Sequence, residues 1–523
     1  MKVIQDFIAK VSPPSAATHS DPDRRSKLWI GLILSLWLTI VLITTMHHEF
    51  CRDEVRPLSL ARRADSLVDL YRLTQYDGHP FLWFLLLDVG TAIVDTSLVL
   101  PILSIALAFA AVAIFTLTAP FALWIKILVI FGALPLYEYS VMARNYGISM
   151  LLIFLVAMAY RRRDTHPMVM GILLALLANT NVHSTILAVL FTGVWIWERM
   201  LQRESGSPRA KAMRWIQALG IVLGGVVLSI IWTWPRQNTI LTDVHHTFGL
   251  RPLLRASVNA VLQPRVAFLK LMPKWAGWSI GILLPLALLG LLVRPPLFLA
   301  ALGGQLALGS FFQLAYWGDT RHQGLLLIFI LSLYGIALDT NRLSRIGRVC
   351  LTIGLTGLLI LMVGNVIKAE ALIRRDINRR MSASEAFAEF LKASPTYHDA
   401  MIIPEPAYLA ESLPYYVSNR IYLPREGRFG TTVSWTTAAS SYMSLGQLLS
   451  AARDLADQHD QRILILYGHR ARIRPVTHHF SYSYNKVFAW TPNEAATFKD
   501  ATTLIADFKQ AAGDETYEIY ALW

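Results

Sequence analysis

The sequence predicts a polytopic α-helical membrane protein, with about eleven transmembrane helices and a soluble α/β domain at its C-terminal end. Three observations carry this. Of 523 residues, 54% are hydrophobic and only 16% charged, where a soluble chain carries about 25% charged. Long apolar runs recur between Leu28 and Ile367. From Lys368 onward the composition turns to that of a soluble domain. A soluble enzyme, a coiled coil and a disordered chain are excluded.

The net charge of +13 does not point to nucleic acid, because much of it sits in short clusters between apolar runs: Arg24, Arg25 and Lys27; Arg161 to Arg163; Arg199 to Arg214; Arg342 to Arg348. Cytoplasmic loops look this way. Residues 1–27 form a polar cytoplasmic tail with no cleavage signal in front, so the first helix is expected to stay as an anchor. Residues 28–46 make the first outward crossing, and residues 47–96 form an outer loop. Within it, 80–95 is short and carries Asp88 and Asp95, which are costly in a bilayer. It reads as an interfacial helix that does not cross. With it left out of the count, 98–117 runs inward, 121–137 outward and 146–160 inward, which puts Arg161, Arg162 and Arg163 in the cytoplasm. Residues 168–179 and 185–197 form a short pair around a polar elbow. Residues 215–234 run outward to a long loop, 235–274. The crossings 278–293, 297–314, 325–338 and 351–367 complete a transmembrane module over 28–367. Residues 368–523 are then extracytoplasmic, and the chain is a multi-pass protein of the plasma (inner) membrane with its N-terminus inside.

In the C-terminal part, short β-branched runs at 401–403, 420–423, 462–466 and 517–520 alternate with helical stretches. This predicts a small α/β domain with a mostly parallel sheet. No Walker or GxGxxG loop occurs in it. Cys51 and Cys350 form no CxxC or Cys/His pattern, so neither a disulfide framework nor a zinc site is expected. No cofactor is indicated; a divalent cation is compatible with the chemistry but not called for.

On this topology the ionisable residues gather on the outer side. The first loop holds Arg52, Asp53, Glu54 and Arg56, then Asp77-Gly78-His79-Pro80. The next outer turn holds Glu138, Arg144, Asn145 and Tyr146, and the elbow holds Asn179, Asn181 and His183. The long loop holds Asp243, His245, His246 and Arg251, and the last outer turn holds Asp319, Arg321 and His322. Each group also has a plain reading. The acidic pair and its arginines can neutralise one another. Arg144 and Arg321 can snorkel to the interface, and Asn181 and His183 can bond helix to helix. His245 and His246, being adjacent, point apart, which argues against a metal pair. Their concentration on one side favours a site at the membrane–water boundary.

The residues Phe50-Cys51-Arg52-Asp53-Glu54, Tyr76-Asp77-Gly78-His79-Pro80-Phe81-Leu82 and the stretch from Leu134 to Gly147, with Glu138 and Arg144-Asn145-Tyr146, resemble the GT-C superfamily of glycosyltransferases. The nearest likeness is to its protein O-mannosyltransferase and aminoarabinose transferase branch. It covers 28–200 in order, with weaker support to 367. Two departures stand out: Phe81 follows Pro80 where the family often has a second proline, and the C-terminal domain matches no branch. The resemblance implies transfer of a sugar from a polyprenyl-phosphate donor to an acceptor hydroxyl outside the membrane, with inversion. Asp53 is the implied catalytic base, with Glu54 orienting the acceptor or holding the loop. An inverting transfer needs such a carboxylate. The lipid phosphate leaves as an anion and needs cations where charge develops. Arg144 is the first candidate by motif, and Arg321, His322 and Arg56 follow by position. His79, Glu138, Tyr146, Asn181, His183, His245 and His246 are candidate substrate contacts. The partners would be the lipid-linked sugar, a glycan, lipid or protein acceptor, and membrane lipids, with no nucleic acid. The alternative, a secondary transporter or lipid-linked flippase, calls for ionisable residues near the midplane, often in repeated halves. A non-catalytic scaffold would explain the tail but not the acidic loop.

Overall fold

The computed structural model describes residues 24–94, 96–201, 209–239, 249–338, 344–469, 471–482 and 486–522. Among these, eight helices are long and apolar enough to cross a membrane: Lys27–His47, Val99–Thr118, Val182–Leu201, Ala212–Thr233, Lys274–Val293, Pro295–Leu314, Thr320–Ala337 and Arg345–Asn378. Each coincides with a predicted crossing.

The other three predicted crossings are helical but short. Residues 121–137 become Leu123–Ile130 followed by a π-turn, Leu134–Glu138, with Pro135 at its start. Residues 146–160 become Tyr146–Ala159, and 168–179 become Pro167–Ala178, which stops at Asn179. At ~1.5 Å per residue none of these reaches across a ~30 Å hydrocarbon core by itself. Tyr146–Ala159 is instead enclosed, packed on Val99–Thr118, Pro167–Ala178 and the largely buried Thr320–Ala337. The segment 80–95 forms Leu82–Ile93, also too short to span. It packs on the short helix Arg52–Ala61 through Val55, Leu58, Trp83, Phe84 and Leu87. Lipid-facing side chains stay exposed on the first helix, at Leu28, Leu32 and Leu36.

The last long helix has 34 residues, or ~51 Å, about 20 Å more than the bilayer core requires. It passes residue 367 without a break and carries Lys368, Arg375 and Asp376 up to the level of the first loop. There the C-terminal domain begins. Its main sheet runs β1 (Met401–Glu405), β5 (Ile463–Tyr467), β9 (Tyr517–Leu522), β8 (Thr502–Phe508). Residues of β1 and β5 alternate between two cores. Met401, Ile403 and Ile465 face the helix Leu445–His459, while Ile402, Leu464 and Leu466 face Ser384–Ala393. Period-two alternation in an all-apolar strand is the signature of a sheet covered on both sides.

The sheet is mixed, which corrects the expectation of a mostly parallel one. Only β1 and β5 are parallel in it, because only that pair is joined by a long helical crossover. β8 and β9 are linked by a short loop, which imposes antiparallel pairing, and β9 then closes antiparallel on β5. A second sheet orders β4 (Tyr442–Ser444), β7 (Lys486–Trp490) and β6 (His478–Tyr482), and β2 (Tyr422–Leu423) pairs with β3 (Arg428–Phe429).

Candidate active site

The site is built on the loop that leaves the first helix. Cys51 caps the helix Arg52–Ala61, and Glu54, three residues on, returns its carboxylate to the Cys51 N–H at 3.1 Å. This is a capping box, and it places both acids in a helix first turn, where the dipole favours negative charge. Glu54 is wholly buried. Its Oε1 accepts the Ala143 N–H at 2.8 Å and its Oε2 meets His48 Nε2 at 3.0 Å. The other ring nitrogen of His48 lies 2.6 Å from Asp376 Oδ2, which also accepts the Tyr137 hydroxyl at 2.7 Å. Burial alone would lower the His48 imidazole, but the carboxylates of Glu54 and Asp376 outweigh it and raise the ring to about 10. His48 is therefore a buried cation that ties the acidic loop to the long last helix.

Asp53 points the other way, into an opening. Its Oδ2 meets Arg321 Nη2 at 2.8 Å and Arg144 Nη1 at 3.3 Å, and Arg144 also donates to the Asp53 carbonyl at 2.6 Å. Among the described residues, Oδ1 has only Arg52 Nε, at 3.9 Å. The Asp53 side chain is 40% exposed while Arg144 and Arg321 are 9% and 13% exposed. Burial raises the Asp53 carboxyl, but Arg144, Arg321 and Arg52 prevail and hold it at about 2.

Local geometry aims the two arginines. Arg144 follows the π-turn on a tight bend that closes at Gly147, where a Cβ would sit 2.6 Å from the Tyr139 carbonyl oxygen. π-Turns of this kind are frequent at functional sites. Arg321 is the second residue of its helix. Asp319 caps that helix by accepting the Thr320 N–H at 2.7 Å, and His322 Nδ1 accepts the Asp319 N–H at 2.8 Å. A cation in a helix first turn opposes the dipole, so Asp53 is what balances Arg321. Behind this turn, Lys368 donates to Thr320 Oγ1 and to the Lys270 carbonyl, and Lys270 Nζ reaches Asp319 at 3.0 Å.

Of the other expected residues, the structure gathers some and diverts others. His79 follows Gly78, whose φ of +69° only glycine adopts freely, and brings Nε2 to 3.5 Å from Arg144 Nη2. Tyr146 and Tyr316 pack edge-on to His322 at 5.2 and 5.0 Å, and His183 lies 5.3 Å from the same ring. His183 is buried between Phe311 and Phe312, and among the described residues neither ring nitrogen has a hydrogen-bond partner. Glu138 lies in the field of Arg321 and Lys368. Arg56 is diverted: it pairs with Asp77 at 2.6 Å and with Glu411 of the C-terminal domain. Asn181 is taken up in helix contacts, donating to Ser149 Oγ and accepting the Ser184 N–H. Asp95, Asp243, His245 and His246 lie outside the described residues. Among the described residues, no group of three or more His, Cys, Asp or Glu side chains is placed to hold a metal ion.

The residues that sequence reasoning missed are His48, Asp376, Lys270, Lys368 and Tyr316. His47-His48-Glu49 at a helix exit was a visible local signal for the first. The rest sit in ordinary Lys/Arg-rich or aromatic stretches and become neighbours only in the fold.

No family model matches the chain, and neither does any curated protein sequence. A solved structure does match: the crystal structure of ArnT from Cupriavidus metallidurans in the apo state, with a TM-score of 0.50 and 12% identity, over 95% of this chain and 98% of that one. The fold is ArnT-like. Agreement at 12% identity is agreement of fold. Its coverage is too complete to leave out the C-terminal domain, so ArnT carries a counterpart to the part of the chain for which the sequence suggested none.

Proposed function

We propose that this chain is an integral membrane glycosyltransferase of the GT-C type, moving a sugar from a polyprenyl-phosphate donor to an acceptor hydroxyl with inversion. The observation that carries the reading is the solvent-open Asp53 carboxylate clamped by two largely buried arginines at one end of an ArnT-like bundle. Arg144 and Arg321 are the phosphate ligands, since planar guanidinium forks suit phosphate oxygens. Asp53 is the base. The acceptor O–H bond breaks and its proton goes to Asp53 Oδ1, the oxygen free of close arginine contact. The acceptor oxygen bonds to the anomeric carbon as the carbon–phosphate oxygen bond breaks, and polyprenyl phosphate leaves with one more negative charge, against Arg144 and Arg321.

A carboxylate held at about 2 is a poor base. Donor phosphate resolves this by drawing the same two guanidiniums onto itself, which lets the Asp53 carboxyl climb when the sugar is in place. Glu54 is a positioning residue in this scheme, His79 and Tyr146 face the phosphate region, and His183 with His322 line the floor. Arg56 braces the C-terminal domain. No cofactor is called for. The site end of the bundle is the outer face, and the N-terminus is cytoplasmic.

The test is mass spectrometry of envelope glycans and lipids from a deletion strain complemented with wild type or Asp53→Asn. One glycan or lipid should lose a sugar, regain it with wild type, and fail to regain it with Asp53→Asn. Full restoration by the variant would remove Asp53 from the role of base, and an unchanged deletion profile would remove the transferase reading.

A further inference from the structure

A second arginine pair lies beside the site and has no place in the scheme above. The helix Leu250–Leu262 packs along the end of Pro295–Leu314 that leads into the Asp319–Arg321 turn. Asn259 donates to Gln313 Oε1 at 3.3 Å, Gln313 donates to the Ala256 carbonyl at 3.0 Å, and the Ser257 and Ser310 hydroxyls meet at 3.0 Å. Two residues past Leu314 comes Tyr316, whose ring is 5.0 Å from His322.

This helix exposes two kinds of surface. Leu250, Leu254 and Val258 are 72%, 56% and 52% exposed, an apolar strip suited to lipid. Arg251 and Arg255, one turn apart, line a groove of about 480 Å³ against Asn259, Gln313 and Leu314. Neither arginine has an ion-pair or hydrogen-bond partner among the described residues. Helix stability does not account for Arg251, since a cation in the first turn opposes the dipole. Two guanidiniums with no partner among the described residues, beside an apolar strip, complement a phosphate monoester on a long hydrocarbon chain.

We propose that the Arg251–Arg255 groove is a second lipid-phosphate subsite, which holds the polyprenyl-phosphate donor at the mouth of the site before its phosphate passes to Arg144 and Arg321. The proposal rests on the donor class assigned above. A staging site raises the donor's local concentration, so it acts on KM and leaves the chemical step to Asp53.

The probe is polyprenyl monophosphate, counted by native mass spectrometry on the full chain in detergent, with polyprenol and phosphatidylglycerol as controls. Wild type should take up two equivalents of polyprenyl monophosphate. Arg251→Ala/Arg255→Ala and Arg144→Ala/Arg321→Ala should each take up one, and Arg251→Lys/Arg255→Lys should keep two. In transfer assays the first double variant should show a KM for donor about tenfold higher with kcat within about twofold, the usual worth of charge-assisted phosphate contacts. Both arginines are exposed, and equal thermal stability of the variants excludes misfolding as the cause. Two equivalents in Arg251→Ala/Arg255→Ala overturn the subsite, as does equal uptake of polyprenol or phosphatidylglycerol. A single equivalent in wild type, lost only in Arg144→Ala/Arg321→Ala, overturns the subsite and leaves the transferase reading standing. No uptake at all overturns the donor class itself.

Discussion

Replacing Asp53 by asparagine should make donor binding tighter and transfer slower. The carboxylate contacts Arg321 at 2.8 Å and Arg144 at 3.3 Å, so it competes with donor phosphate for the same guanidiniums. A charge pair at this range is worth ~1 kcal/mol in water and ~4 at an effective dielectric of 20. Asp53 is 40% exposed, which puts each contact near the lower figure, ~1 kcal/mol, for a competition of ~2 kcal/mol. Recovering most of it raises donor affinity about tenfold. The variant also loses the proton acceptor, and turnover should fall by about 10²–10⁴. Equilibrium binding of a labelled polyprenyl-phosphate sugar to protein in nanodiscs, with single-turnover transfer on the same preparation, reads both. Weaker donor binding in Asp53→Asn, or turnover within about threefold of wild type, would refute the competition between carboxylate and phosphate.

Four further outcomes follow from the same geometry. Because the free enzyme holds the Asp53 carboxyl at about 2 and donor withdraws its cations, the acid limb of kcat should lie at higher pH than that of kcat/KM; coincident limbs would mean the arginines stay on Asp53. Glu54→Gln leaves cationic His48 facing only Asp376 and sets an amide N–H₂ or its loss of charge against the donors of Cys51, Ala143 and His48, so it should cost ~3–5 kcal/mol of stability, read as a thermal shift far larger than that of Asp53→Asn. Burial and the neighbouring Glu385 raise the Glu49 carboxyl from 4.5 to about 8; the native state then binds the extra proton, so this contribution is complete below about 4.5 and fades as pH rises toward 8, and Glu49→Gln should flatten the melting temperature against pH across that window. Gly147→Ala drives a Cβ into the Tyr139 carbonyl and should displace the Arg144 bend, lowering transfer by about 100-fold while Gly281→Ala, in open space on a lipid-facing helix, leaves it intact.

What the sequence determined by itself was what composition and local pattern can carry. Apolar runs placed all eight long crossings because a bilayer demands continuous apolar helix whatever its neighbours. The 80–95 segment was read as non-spanning from Asp88, Asp95 and the charge placement, and it forms a helix of 12 residues, but 146–160 and 168–179 were read as crossings and are comparably short. The ordered 50–54, 76–82 and 134–147 stretches pointed to the fold that the ArnT comparison returned. The acidic pair was legible too, but not the division of labour within it. Adjacent residues on a helix point about 100° apart, and only the packing of the Ala143 turn and the last helix sends Glu54 inward to His48 and Asp376 and leaves Asp53 facing Arg144 and Arg321. Arg56 looked like a phosphate ligand because its partners, Asp77 and above all Glu411, lie far along the chain. The mixed sheet has the same origin. A β-branched run declares a strand, whereas the direction of its neighbour is decided by which strands the connections bring side by side, and β9 reached β5 only from the far end of the domain.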